Sequence, residues 1–136
     1  MKNVTIFELV HTMEKVSNRM LLDWKKRFQE DIGISHILVL HYIREYGKSR
    51  PSDVARHLGF APASVTHLSG KLIDKEFCIR VTDELDGRVS YLEITERGIE
   101  VLNAAEHEGV EMRKEFLEVL SEEDKLQLLA IYQKLL

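Results

Sequence analysis

A chain of 136 residues can bury one hydrophobic core but is too short for two independent domains. Its net charge of −4 argues against a polyanionic partner only if the charges are spread evenly, so their distribution matters. The single cysteine, Cys78, excludes an internal disulfide, and no segment is long and apolar enough to span a membrane. Since the first residues also lack the pattern of a signal peptide, we expect a cytoplasmic protein without membrane contacts.

The first predicted element is a long amphipathic helix in the range 4–29. Its apolar residues recur at intervals of three and four, and no residue in the range breaks a helix. A second helix is expected after Gly33, with Ile37, Leu40 and Ile43 among its apolar residues. The first helix is longer than a small core requires, whereas the second is expected to close that core as one of its walls.

Two short helices joined by a tight turn follow. Pro51 suits the first position of a helix because proline has no N–H to leave unsatisfied there, and Pro62 can open the next helix in the same way. Gly59 suits the left-handed residue that ends a helix. The connection Gly59-Phe60-Ala61 therefore has the length of the turn in a helix-turn-helix.

The next segment has the alternation of a β-hairpin. Ile79 and Val81 alternate with polar residues, as do Leu92 and Ile94, which is typical of half-buried strands. Asp86-Gly87 lies between the two runs in a loop longer than a two-residue turn. The whole segment is predicted to be a helix-turn-helix with a β-wing.

Two more amphipathic helices are expected after the hairpin. Thr95 is a good N-cap for a helix running to about Leu120, and Ser121 with the three acidic residues after it is typical of a helix start. Together with the first helix, these elements carry more apolar surface than one small domain can cover. We therefore expect self-association, which in a two-fold dimer would place two recognition helices about one DNA turn, roughly 34 Å, apart.

The basic residues are concentrated around the predicted helix-turn-helix. The range 48–80 holds six basic and three acidic residues, a local balance of +3, whereas the range 93–136 has a balance of −6. The candidate DNA-binding surface is thus basic within an acidic protein. Such a distribution restricts where a polyanion can dock.

Six short motifs, in this order and spacing, carry a resemblance to a known family. They are Asp53-Val54-Ala55-x-x-Leu58-Gly59, Ser64-Val65-Thr66-x-Leu68, Leu72-Ile73-x-Lys75, Ile79-Arg80, Asp86-x-Arg88 and Leu92-x-Ile94-Thr95-x-x-Gly98. From about Ser35 to Gly98 the chain resembles the MarR family of winged helix-turn-helix transcription regulators. The resemblance implies a mainly α fold with a small β-wing (α+β), in a single domain over residues 1–136. Residues 33–95 would form the DNA-binding region, and residues 1–32 and 96–136 would supply long dimerisation helices.

The chain departs from the family pattern at three positions. Glu76 stands where the family has glycine after the recognition helix, so that helix must end without the residue that most easily becomes left-handed. Ala61 stands where a capping serine is common. The wing has Asp86-Gly87-Arg88 where two consecutive arginines commonly follow the aspartate, so weaker anchoring in the minor groove is expected.

The resemblance implies that the helix at about 62–75 enters the major groove with its N-terminal end first. Four of its residues would then reach base edges or flanking phosphates, although ordinary solvent exposure explains them equally well. Lys71, one turn farther along, is expected to contact a phosphate. The four residues near the N-terminal end are Ala63, Ser64, Thr66 and His67.

The wing and the preceding helix supply the other candidate contacts. Arg88 is expected to enter the minor groove, where the potential is most negative, with Asp86 orienting it or shaping the turn. Ser52, Arg56 and Arg50 are expected to contact the DNA backbone without reading sequence.

The resemblance further implies a homodimeric repressor of a pseudo-palindromic operator, released by a small-molecule effector that is often an aromatic acid. Some aromatic and histidine side chains are candidates for an effector pocket, but a stripe of such residues at helical spacing is more often core. They are Trp24, Phe28, His36, His41 and Tyr42.

A redox or metal sensor is an alternative interpretation. Arg80 would lower the pKa of Cys78, but a lone cysteine in an apolar stretch is more often an inert small hydrophobe. Neither His107 with its neighbouring glutamates nor His36 with His41 has the density of a metal-ligand set. No metal or cofactor is therefore predicted.

Two further classes can be compared with a DNA-binding regulator. The sequence contains no nucleophile with an ordered base, no paired carboxylates in a pocket-forming context and no phosphate-cradling glycine loop, so an enzyme is not expected. A winged helix that binds another protein is a second alternative, because the fold by itself does not establish DNA binding. The local +3 balance and Arg88 favour DNA.

Overall fold

The computed structural model describes residues 3–136, which form six helices and a two-stranded antiparallel sheet. This is the mainly helical fold with a small hairpin that the sequence predicts. Within the described residues, no helix combines the length and the apolarity needed to cross a bilayer. In chain order the elements are α1 (Ile6–Arg27), α2 (Ile34–Tyr46), α3 (Pro51–Leu58), α4 (Pro62–Asp74), β1 (Cys78–Thr82), β2 (Ser90–Ile94), α5 (Glu96–Glu118) and α6 (Glu122–Lys134).

The chain forms two compact units. Residues 30–106, here called the winged unit, contain α2, α3, α4, both strands and the first part of α5. Residues 3–29 and 107–136, here called the end-helix unit, contain α1, the remainder of α5 and α6.

The core of the winged unit receives fully buried side chains from each of its helices and from β2. On α4, Val65 and Leu72 are two turns apart and share the buried face with Ser69. The Ser69 hydroxyl donates to the carbonyl of Thr66 (2.9 Å), so the polar atom is satisfied inside the core. Fully buried apolar residues on the other elements are Val39, Leu40, Val54, Leu92 and Leu102.

The turn between α3 and α4 forms as its sequence predicts. Pro51 and Pro62 lie in the first turns of their helices, and Gly59 adopts a left-handed conformation with φ +72°. The N–H of Phe60 donates to the carbonyl of Ala55 (2.9 Å), which closes the end of α3. The buried faces of α3 and α4 are therefore held in contact by a three-residue connection.

Glu76 ends α4 in the conformation that glycine normally supplies. Its φ is +65°, and its N–H donates to the carbonyl of Ile73 (2.9 Å). The N–H of Phe77 donates to the carbonyl of Leu72 (2.9 Å), which completes the hydrogen-bond pattern of a Schellman motif. The departure from the family pattern thus leaves the helix end intact and places a non-glycine residue in a strained backbone conformation.

Substituting Glu76→Gly is expected to stabilise the winged unit by about 1 kcal/mol, because glycine adopts this positive φ without the steric cost. The substitution also removes the exposed ion pair with Arg97 (2.7 Å), a minor loss. Urea denaturation measures the change, with Glu76→Gln as the control that removes the charge but keeps the backbone strain. Equal stabilities of Glu76→Gly and Glu76→Gln would contradict the assignment of strain.

The hairpin is confirmed, but at the start of β1 Ile79 is more exposed, and Cys78 more buried, than the alternation predicts. In the observed register Cys78 pairs with Ile94 and Arg80 with Leu92, so Ile79 lies on the face opposite Leu92. Cys78 is fully buried, whereas Ile79 is 47% exposed. The alternation located the strand correctly, with Arg80 and Thr82 exposed and Val81 half-buried, but it gave no sign that Cys78 is the most buried residue of β1.

The helix starts at Thr95 and Ser121 are also confirmed. Thr95 Oγ1 accepts a hydrogen bond from the N–H of Gly98 (3.0 Å), and Ser121 Oγ accepts one from the N–H of Asp124 (3.1 Å). The Asp124 carboxylate accepts in turn from the N–H of Ser121 (3.3 Å), so this helix begins with a reciprocal capping pair.

The end-helix unit has one buried aromatic pair and extensive exposed apolar surface. The rings of Trp24 and Phe28 stack with centroids 5.0 Å apart, and both are buried. Arg27 is ion-paired with Glu108 (3.6 Å) and with Glu115, whose pKa is lowered by the hydrogen bond from the guanidinium. The exposed large apolar residues of α1 are Ile6, Phe7, Leu9, Val10, Met13, Val16 and Leu22.

Candidate nucleic-acid interface

The predicted recognition residues lie together on the exposed side of α4. Val65 and Ser69 face the core, whereas Ala63, Ser64, Thr66 and His67 are all exposed near the N-terminal end of the helix. Ala61 precedes the helix and supplies no side-chain cap, so this end of α4 retains backbone N–H groups without a capping side chain. A helix N-terminus of this kind favours a nearby anion such as a DNA phosphate.

The Thr66 hydroxyl bonds back to its own helix. Its Oγ1 donates to the carbonyl of Pro62 (3.3 Å). The γ-methyl group and the oxygen lone pairs of Thr66 remain on the exposed side, where they suit contacts with a thymine methyl or a base donor.

Three of the predicted DNA-contacting cations are ion-paired with aspartates. Each pair joins partly exposed side chains and contributes little to folding stability, so a phosphate can compete for the cation at low cost. The aspartates also reduce the positive potential that a phosphate meets on approach. The pairs are Lys71 Nζ with Asp31 Oδ2 (3.3 Å), Arg56 Nη1 with Asp53 Oδ1 (3.2 Å) and Arg88 Nε with Asp86 Oδ1 (3.2 Å).

Asp86 both shapes the wing turn and orients Arg88. Its Oδ1 accepts from the backbone N–H of Arg88 (3.1 Å) and from Nε of the same residue (3.2 Å). The backbone hydrogen bond lowers the pKa of Asp86, and the Arg88 side chain lowers it further. The Arg88 side chain is 93% exposed, so the guanidinium is oriented but solvated.

The remaining backbone-contact candidates lie at the start of α3. Arg50 is the N-cap residue, and its carbonyl accepts from the N–H groups of Asp53 (3.0 Å) and Val54 (3.2 Å). Its guanidinium carbon lies 5.9 Å from the centre of the Tyr91 ring on β2. Ser52 is exposed in the first turn of the same helix.

Sequence reasoning missed three residues that adjoin this surface. Asp83 caps the wing loop, Tyr91 lies under two cations, and Lys48 is one of those cations, with Nζ 5.2 Å from the ring centre. An aspartate that starts a loop between two strands is a recognisable signal for side-chain capping of the turn. No local signal links Tyr91 to Lys48, because they are brought together by strand pairing.

The proposed effector-pocket residues fall in different units and have other local roles. Trp24 and Phe28 form the buried stack of the end-helix unit, while His36, His41 and Tyr42 lie on α2 in the winged unit. Nδ1 of His36 accepts from the N–H of Gly33 (3.1 Å) and so caps α2. Burial lowers the pKa of His36, and the positive charge of Lys71 lowers it further, which favours the neutral ring that this hydrogen bond requires.

The redox alternative finds no support in the surroundings of Cys78. Burial raises the pKa of the thiol to about 11, which outweighs the opposing effect of Arg80. The thiolate, the reactive form, is therefore scarce at neutral pH. Among residues 3–136, no group of three or more histidine, cysteine, aspartate or glutamate side chains is placed to hold a metal ion.

A helix-turn-helix followed by a two-stranded hairpin, with exposed polar residues on its second helix and an arginine on the hairpin loop, defines a winged helix-turn-helix protein. Residues 32–90 match the model of the MarR family. This match agrees with the resemblance to the MarR family that the order of the motifs predicted. The curated relatives that match the chain are HTH-type transcriptional regulators.

Curated relatives and solved structures agree with this assignment. The chain is 26% identical over 110 residues to the HTH-type transcriptional regulator YxaD of Bacillus subtilis, a match covering 81% of this chain and 77% of YxaD. It is 33% identical over 86 residues to the HTH-type transcriptional regulator MhqR of the same organism, covering 63% of this chain and 59% of MhqR. A mutant of MepR from S. aureus superposes with a TM-score of 0.81 at 25% identity, covering 97% of this chain and 96% of MepR.

Proposed function

We propose that this protein is a homodimeric repressor that binds a pseudo-palindromic operator, with α4 in the major groove and the wing loop in the minor groove of each half-site. The observation that carries the proposal is the grouping of exposed polar residues at the N-terminal end of α4 with cations on the same winged unit. The match of residues 32–90 to the MarR family model supports it. Repression is the commoner mode of action in the family that the chain resembles.

Direct readout is assigned to α4 because a helix fits the major groove and its N-terminal residues meet the base edges. Ser64, Thr66 and His67 supply the donors and acceptors for this role, and Ala63 supplies an apolar contact for a thymine methyl group. Lys71, one helical turn farther along, is assigned to a phosphate. Binding at that phosphate would exchange the Asp31 carboxylate for a DNA anion.

Register on the DNA is assigned to the start of α3 and to the wing. Arg50, Ser52 and Arg56 are placed on successive exposed positions where side chains can follow a phosphate backbone. Arg88, oriented by Asp86, is assigned to the minor groove. The wing carries one arginine where the family pattern has two, so this anchor depends on a single guanidinium.

Dimerisation is assigned to the end-helix unit. The exposed apolar residues on α1 form an extended surface, which is unusual for a monomer and typical of an association surface. A second copy is the partner that a two-fold operator requires. In the range 117–136 the exposed large apolar residues are Leu117, Val119, Leu126, Leu129, Ile131, Tyr132, Leu135 and Leu136.

The experiment that tests the proposal is selection of bound duplexes from a random pool. An inverted repeat is expected, with half-site centres about 10 base pairs apart, because two recognition helices related by a two-fold axis read the same sequence in opposite orientations. Recovery of no enriched sequence would contradict DNA recognition and favour a protein-binding winged helix. Recovery of a single unrepeated site would contradict the two-fold dimer. Reporter expression in the presence and absence of the protein then distinguishes repression from activation.

Substituting Phe7→Glu is expected to weaken the dimer at least tenfold. Phe7 is 82% exposed, so the fold of one subunit does not need it, whereas a carboxylate in an apolar interface would be desolvated without a partner. Sedimentation analysis measures the dissociation constant, and Lys15→Glu is the control, because Lys15 lies on the side of α1 opposite Ile6, Val10 and Met13. A dimer that tolerates Phe7→Glu would place the interface elsewhere.

Release by a small aromatic acid stays a prediction from the resemblance. Titrating a panel of such acids into the complex with the selected duplex tests it, with dissociation at constant salt as the expected result. A complex that persists at millimolar concentrations of every acid would contradict this part of the proposal.

A further inference from the structure

The wing loop is organised by Asp83, a residue that has no assigned contact with DNA. Its Oδ1 accepts from the backbone N–H groups of Leu85 (2.8 Å) and Asp86 (3.1 Å). Its own N–H donates to the carbonyl of Val89 across the loop (2.9 Å). The backbone on both sides of the loop is thereby fixed by a single aspartate.

Tyr91 connects this aspartate to the segment that precedes α3. Its hydroxyl donates to Oδ2 of Asp83 (3.1 Å), while Lys48 Nζ and the Arg50 guanidinium carbon lie 5.2 Å and 5.9 Å from the centre of its ring. Such cation–π contacts favour one position for side chains that otherwise have many.

Backbone pairing holds the same two segments together. Ser49, between the two cations, exchanges hydrogen bonds with Leu92, the residue after Tyr91: N–H to carbonyl at 3.0 Å in one direction and 2.8 Å in the other. The base of the wing is therefore joined to the N-terminal end of α3 through both backbone and side chains.

The charge on Asp83 persists across the pH range in which DNA binding is measured. Hydrogen bonds from the N–H groups of Leu85 and Asp86 lower its pKa, and the Tyr91 hydroxyl lowers it further. Hydrogen bonds to an ionised carboxylate are stronger than those between neutral groups, so the loop retains its order at neutral pH.

We propose that Asp83 and Tyr91 are positioning residues for DNA binding, which hold the wing tip with Arg88 at a fixed distance from Lys48 and Arg50 so that all three cations meet the DNA together. The inference rests on the proposed function, in which Arg88 enters the minor groove. A loop that is ordered before binding does not lose conformational entropy in the complex, so affinity rises without an additional contact.

The test is a double-mutant cycle on the selected operator duplex. Tyr91→Phe removes the hydroxyl and keeps the ring, and Asp83→Asn removes the charge at nearly the same volume. Each is expected to weaken binding about three- to tenfold in the wild-type background, and less than twofold when Arg88 is already replaced by alanine. Glu84→Gln, which removes a charge from the adjacent loop residue, is the matched control and is expected to leave affinity unchanged or slightly improved.

A second measurement monitors the loop without DNA. Trypsin cleavage after Arg88, followed by mass spectrometry, is expected to be faster in Asp83→Asn and Tyr91→Phe than in wild type or Glu84→Gln, because a disordered loop fits a protease more readily. Unchanged cleavage in both variants would overturn the claim that these residues order the wing.

The outcomes separate this inference from the proposed function. Wild-type protein that binds no duplex would overturn both. Wild-type binding that Arg88→Ala weakens, with Asp83→Asn and Tyr91→Phe silent, would overturn only the positioning role. Losses that remain equally large in the Arg88→Ala background would also overturn it, because the two residues would then act independently of the wing tip.

Discussion

Substituting Gly98→Ala is expected to destabilise the winged unit by about 3 kcal/mol, the upper end of the usual cost of overpacking. A Cβ atom at this position would overlap the backbone carbonyl oxygen of Phe77 and would lie 2.7 Å from Cγ1 of Ile94. That carbonyl also accepts from the N–H of Thr95 (3.1 Å) where the hairpin leads into α5. Backbone cannot move aside as a flexible side chain can, so relief requires a shift of the helix against the end of α4.

The free energy of unfolding in urea measures this loss. Gly70→Ala on α4 is the control, since a Cβ there would meet no heavy atom within 4 Å. Alanine in that helix is expected to stabilise by about 0.5–1 kcal/mol. Opposite signs for the two substitutions are therefore expected. A neutral Gly98→Ala would mean that α5 can leave its observed position at little cost.

Substituting Arg88→Ala is expected to lower operator affinity about tenfold and to reduce the slope of log K against log salt by about one unit for each subunit. The guanidinium is solvated in the free protein and already oriented by Asp86, so it can approach DNA without being extracted from a buried site. With one arginine in the wing instead of two, no neighbouring cation compensates for its loss.

Affinity measured at several salt concentrations on the selected duplex tests the role of Arg88. Arg113→Ala is the control, because it removes the same charge from the acidic C-terminal part of the chain and is expected to leave both affinity and slope unchanged. Weaker binding with an unchanged salt slope would indicate that Arg88 shapes the wing without contacting a phosphate. Unchanged affinity would remove the wing from the interface.

The sequence predicted those features that depend on residues close together in the chain. Pro51 and Gly59 define the boundaries of α3, and Thr95 and Ser121 cap the helices that follow them. Each of these roles requires a hydrogen bond or a backbone dihedral within a few residues, so residue type and spacing are sufficient to predict it. The resemblance to the MarR family could likewise be recognised from the sequence, because the motifs that carry it are short and local.

The local sequence pattern predicted burial less reliably for residues whose neighbours come from distant segments of the chain. Ile79 fits the alternation of a strand but is 47% exposed, whereas Cys78, which pairs with Ile94, is fully buried.

Amino-acid pattern by itself determined which elements form, where they begin and end, and which helix and loop carry the candidate DNA contacts. Tertiary structure decided which distant residues hold those contacts: Lys71 is ion-paired with Asp31, and the Arg50 guanidinium lies over the ring of Tyr91. It also decided the close approach of Gly98 to the backbone of Phe77. The physical reason is the range of the interactions. Caps and turns close over three or four residues, whereas the side chains around the candidate interface are brought together by strand pairing and helix packing between segments far apart in the chain.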